Sequence, residues 1–180
     1  MEIEPGWFSE LDPALEAARA AGKPVLLQFH REECAGCRKL YAGTYPDKDV
    51  QQELFQWFIP VRQNILADRA TRSSYAAYWT PSFYFLDGNG RMLYSFNGYL
   101  GVEDFRVLLR LGKAAVDMPR GRYFDVINLM DDGLSLFPSN PRAAGMLFVR
   151  GMAMYLAGRE KSAFRDTMAE ICEQYPGSLE

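Results

Sequence analysis

The chain has 180 residues, 48% of them apolar and 14% aromatic, enough for one cored domain with an appendage and short for two full domains. Its 20 basic and 23 acidic residues leave a net charge of -3, so no basic field draws nucleic acid or anionic lipid to it. No apolar run approaches the roughly 18 residues of a membrane span, and the stretch from Met1 to Glu10 carries acids and Pro5 where a secretory leader carries basic residues before an apolar block. The expected setting is the cytoplasm, with no membrane and no nucleic-acid partner.

In chain order, Ser9 to Gly22 reads as an amphipathic helix, with Ser9 as its cap, Pro13 in the first turn and Gly22 as its stop. Val25 to His30 is short and mostly apolar, the pattern of a strand buried on both faces. A helix follows to about Tyr41, then another over Asp47 to Gln56, capped by Asp47 or Asp49. Phe58 to Arg62 reads as a strand in which Pro60 calls for an edge or a bulge. Arg69 to Trp79 has helical spacing and Ser82 to Leu86 is an aromatic strand. Asp87-Gly88-Asn89-Gly90 is a hairpin turn with Met92 to Phe96 returning, and Val102 to Met118 is a covering helix. This order, α, β, α, α, β, α, β, β, α, describes a mixed-sheet α/β domain over residues 1–118. Residues 119–180 carry no strand signal and three helical stretches, 123–137, 141–157 and 159–175. Leu179-Glu180 has the look of a cloning junction and is set aside.

Three cysteines are too few for a disulfide scaffold. Two of them, Cys34 and Cys37, form a CxxC pair between a buried strand and a helix, which puts Cys34 at the helix start. Free backbone N–H groups and the helix dipole stabilise a thiolate there, so Cys34 is expected to be the exposed, acidic nucleophile. Cys37, one turn in, is expected to be less exposed and near enough to attack a mixed disulfide on Cys34. The rival chemistry is a zinc site using His30, Cys34 and Cys37, which lacks a fourth ligand unless the distant Cys172 or a carboxylate supplies one. No metal and no cofactor are expected. Cys172, near Ile171 and Met168, reads as a core thiol.

The apolar strand ending in an aromatic, the four intervening residues, the CxxC pair and basic Arg38-Lys39 resemble the active-site region of thioredoxin-like proteins. Thr80-Pro81 ahead of an aromatic strand matches the position of that family's cis-proline, and the resemblance spans roughly Ser9 to Met118. It implies a thioredoxin-like mixed sheet flanked by helices, with Thr80-Pro81 beside the cysteines and the Thr80 backbone available to an extended substrate segment. Tyr78 and Trp79, just before that proline, could form an apolar lip. The implied activity is thiol-disulfide exchange with a protein disulfide, fed by an upstream electron donor, with Cys34 and Cys37 catalytic.

The departures bear on the same chemistry. Glu33 stands where thioredoxin has a Trp, and its carboxylate opposes the thiolate while Arg31, Arg38 and Lys39 favour it, leaving the net sign open. Gln28 replaces the buried Asp that the family uses as proton acceptor for its second cysteine. His30 at the strand end could tune Cys34. Because Gln28 and Glu33 both remove supports for fast exchange, a non-catalytic protein-binding module is the alternative function. The C-terminal helices weakly resemble a tetratricopeptide repeat through Gly151, Ala163 and Pro176, one degenerate unit at most, and offer a surface for a protein partner. Arg69 and Arg72 read as a solvated helix face.

Overall fold

The computed structural model describes residues 6–158 and 161–178. Leu179 and Glu180, and the Arg159 start expected for the last helix, lie outside the described residues. The chain divides into two compact units at Val116/Asp117.

The first unit runs α1 (Leu11–Ala21), β1 (Val25–His30), α2 (Ala35–Lys39), α3 (Lys48–Trp57), β2 (Ile59–Asn64), α4 (Arg69–Ser74), β3 (Ser82–Leu86), β4 (Met92–Asn97) and α5 (Val102–Asp117). The four strands form one sheet in the order β2-β1-β3-β4, parallel between β1 and β2 and antiparallel elsewhere. Strand β1 is central, so its side chains are buried alternately on both faces. Val25, Leu27 and Phe29 join Ala14 and Ala18 of α1, while Leu26 joins Val50 and Leu54 of α3 and Phe105, Leu108 and Leu109 of α5. Pro60 stands on the edge strand. Its carbonyl accepts from the Phe8 N–H on the outer side, so the missing proline N–H also faces outward and costs the β1–β2 ladder nothing.

Four local expectations are corrected. The residue capping α1 is Glu10 rather than Ser9, and no side chain bonds the helix start. The helix after the cysteines does not stop at Tyr41, since α2 passes into a π-helical turn over Leu40–Thr44. That turn is held by Thr44 donating to the Leu100 carbonyl at 2.8 Å and Tyr45 N–H donating to the Leu40 carbonyl. Helix α4 ends at Ser74, not Trp79, because Ala76 takes a left-handed conformation at φ 50° and its N–H turns back to the Ser73 carbonyl. Cys172 is exposed rather than in the core.

The second unit contains α6 (Tyr123–Leu136), α7 (Ala143–Leu156) and α8 (Lys161–Gln174). Its core gathers Ala144, Leu147 and Ile171, with Leu134, Phe148, Met168 and Tyr175 packed against them. Gly151 lets α7 approach α8, since a Cβ there would lie 2.8 Å from Thr167 Cγ2. Among the described residues no helix is long and apolar enough to cross a membrane.

Candidate active site

Cys34 is the N-cap of α2, and its sulfur accepts the Cys37 backbone N–H at 3.1 Å. Its own S–H donates to the Thr80 carbonyl at 3.3 Å. Thr80-Pro81 is a cis peptide, and the Pro81 ring seats against α2 at Gly36, where a Cβ would come within 2.9 Å of Pro81 Cδ. Strand β3 and helix α2 thus bring residues 46 positions apart in the chain onto one sulfur.

This packing overturns the expectation of an exposed nucleophile. Cys34 retains only 6% of its surface and Cys37 none. What remains of Cys34 opens onto a cleft of about 830 Å³ lined among others by Arg31, Glu33, Leu66, Arg72, Tyr78 and Trp79. Tyr78 and Trp79 are 78% and 57% exposed there. Arg72, expected on a solvated helix face, is part of this lining, whereas Arg38 lies exposed outside it.

The two thiols are driven apart in acidity. Burial pushes Cys34 up, but hydrogen bonds from the Cys37 thiol, the Thr80 side chain and the Cys37 and Gly36 backbone N–H groups outweigh it, so the thiol lies below its ordinary value. Cys37 is pushed up to about 12, first by burial and then by holding the proton that Cys34 shares. The sign that sequence left open is therefore downward for Cys34. It is set by hydrogen bonds, with Glu33, Arg38 and His30 absent from the principal causes. Sulfur that accepts several hydrogen bonds carries charge at lower pH.

The rings of His30 and Tyr41 meet edge to face at 6.4 Å. Burial first, and Arg62 second, lower the pKa of His30. Gln28 is fully buried, and its Oε1 accepts from the Tyr45 hydroxyl at 2.8 Å. Sequence reasoning missed the group around it. Arg62 of β2, paired with Gln28 across the sheet, stacks its guanidinium over Trp7 at 4.4 Å, Tyr41 at 4.5 Å and Tyr45 at 5.6 Å. The available signal was a pair of tyrosines four apart after the CxxC and an arginine inside a strand. Among the described residues no group of three or more His, Cys, Asp or Glu side chains is placed to hold a metal ion.

A family model described as "Thioredoxin-like domain" matches residues 11–113. The thiol:disulfide interchange protein DsbD of Ralstonia nicotianae is 30% identical over 86 residues, which is 46% of this chain and 14% of that protein's length. Among solved structures, a thioredoxin from Thermus thermophilus superposes with a TM-score of 0.53 at 23% identity, covering 60% of this chain and 86% of that one. The reduced C-terminal domain of Neisseria meningitidis DsbD gives 0.51 at 18% identity, covering 58% and 98%. These likenesses establish the fold as that of thioredoxin. With the family model matching more than half of the chain, over the residues that build the sheet and seat the CxxC pair, this chain belongs to the thioredoxin-like domain family.

Proposed function

We propose that the chain is a thiol-disulfide oxidoreductase in which Cys34 attacks a protein disulfide and Cys37 resolves the mixed disulfide. The observation that carries this reading is the division of labour between the sulfurs. Cys34 collects the hydrogen bonds that favour a thiolate at the floor of an open cleft, and Cys37 keeps its proton out of solvent. A nucleophile that ionises more readily than an ordinary thiol and a resolving thiol held in reserve are the two parts the exchange needs. The named activity of the DsbD relative is in keeping with it.

In this proposal an extended substrate segment lies along Thr80 and Trp79, with an apolar side chain against the lip of Leu66, Tyr78 and Trp79. The Cys34 sulfur bonds to one substrate sulfur and the other leaves as a thiolate. Cys37 then closes the intramolecular disulfide, and an upstream dithiol donor restores the pair with two electrons. The cytoplasmic setting belongs to the proposal and is checked by fractionating cells that make the full chain. The test of the activity is reduction of insulin by the dithiol form, compared with Cys34→Ser. Turnover lost in the variant supports the reading; equal turnover contradicts it.

A binding module is the second reading, favoured by the 6% exposure of Cys34 and by Gln28 in place of a titratable partner. It predicts that partner capture survives Cys34→Ser and is lost on removing residues 119–180, with insulin reduction absent throughout.

A further inference from the structure

If Cys37 resolves the mixed disulfide, it must shed a proton, yet the fully buried polar residue of β1, Gln28, is an amide and not a carboxylate. The Tyr41 hydroxyl is buried and its proton meets no acceptor within hydrogen-bond distance. Gln28, whose Oε1 accepts from Tyr45, has its buried Nε2 left as a donor on the side of the phenol. The phenol and the amide lie close enough for Gln28 to act on the Tyr41 hydroxyl, and charge on Cys37 acts on it too. Tyr41 follows Cys37 by four residues, across the junction of α2 and the π-helical turn, so the two side chains share one face of that segment. A buried O–H without an acceptor costs free energy. It becomes favourable once an acceptor appears beside it.

We propose that the Tyr41 hydroxyl donates a hydrogen bond to the Cys37 sulfur as that sulfur loses its proton, and so sets how fast the mixed disulfide on Cys34 is resolved. The inference rests on the oxidoreductase reading. In the step itself the Cys37 thiolate bonds to the Cys34 sulfur, the bond from Cys34 to the substrate sulfur breaks, and the departing thiolate takes up a proton to replace the one Cys37 released. Two electrons pass from the cysteine pair to the substrate disulfide over the two steps. The charged and titratable groups around Tyr41 are Arg62 stacked on its ring, His30 at its edge, and Cys34 and Cys37. Arg62 supplies a fixed positive charge, and Tyr41 supplies the directed proton.

Dithiobis(nitrobenzoate) reads both steps by stopped flow, because each releases one coloured thiolate. In a Cys172→Ser background, Tyr41→Phe leaves the first release unchanged and slows the second about tenfold, with its pH profile displaced upward by about one unit, as loss of a hydrogen bond to a charged group requires. A second release with parental rate and pH profile overturns the proposal. Should the phenylalanine variant not fold, 3-fluorotyrosine at position 41 keeps the shape and makes a stronger donor. It should speed the second release, and no change overturns the proposal equally. A parent chain that gives no second release contradicts the oxidoreductase reading instead. The Cys37 ¹³Cβ shift against pH in Cys34→Ser then decides Tyr41 alone: an upward shift on Tyr41→Phe supports the hydrogen bond, and none refutes it.

Discussion

Gly36→Ala separates packing from helix propensity at the heart of the site. Propensity alone favours alanine by up to about 1 kcal/mol within a helix. The added methyl, however, would sit 2.9 Å from Pro81 Cδ and 3.4 Å from Tyr99 Cβ. The proline ring is fused to its backbone and cannot swing away, so the start of α2 must retreat by about half an ångström to restore an ordinary contact. That retreat stretches the Cys37 N–H bond to Cys34 Sγ, now 3.1 Å, and disturbs the neighbouring Gly36 N–H that also favours the thiolate. Overpacking of this kind costs about 1–3 kcal/mol. Loss of one charge-assisted bond is worth roughly one pH unit of thiol acidity. The expected outcome is a lower urea midpoint together with a Cys34 alkylation midpoint raised by about one unit. A variant as stable as the parent that alkylates at the same pH would refute the reasoning.

Glu53 joins α3 to α5 by bonding Arg106 at 2.7 Å and the 2% exposed Arg110 at 2.9 Å. Glu53→Gln leaves buried guanidinium charge poorly compensated and should cost about 3 kcal/mol, a fall of roughly 6–12 °C in Tm by calorimetry. A fall below about 2 °C would show that the pair contributes little. Gly112 has the ring of Phe85 where a Cβ would stand, so Gly112→Ala should lower stability by at least about 1–3 kcal/mol in urea titration; parental stability would mean that α5 moves freely over β3. The folded state raises Cys37 from 9.0 to about 12, so it holds a proton that the unfolded chain gives up. The stability this contributes to the dithiol form is complete below about pH 9 and is lost as pH climbs toward about 12. Cys37→Ala should flatten that alkaline arm in pH-dependent unfolding; an unaltered slope contradicts the raised thiol.

What was legible in the sequence was local. The mostly apolar stretch of β1, the turn at Asp87 to Gly90 and the proline in β2 each carry their own signal, and the CxxC between strand and helix marks its chemistry by position. The unread parts depend on partners distant in the chain. The burial of Cys34 comes from Thr80 and Pro81 closing over it from 46 residues away. The Arg62 stack needs β1 and β2 in register before Trp7, Tyr41 and Tyr45 can meet it. The early end of α4 hinges on a left-handed alanine, a conformation with no residue-type signal. Glu33, prominent in the sequence, lines the cleft without ranking among the main influences on the thiol, because hydrogen bonds to sulfur outweigh a neighbouring carboxylate in solvent.

The acidity of Cys34 tests the central claim most directly. Iodoacetamide labelling of the dithiol form across pH, with each cysteine resolved by mass spectrometry and an unstructured cysteine peptide labelled alongside, reads its midpoint. The account predicts that Cys34 is half-labelled at lower pH than an unstructured cysteine peptide, while Cys37 stays unreactive over the same range. Cys34 labelling at or above the midpoint of that peptide would contradict it.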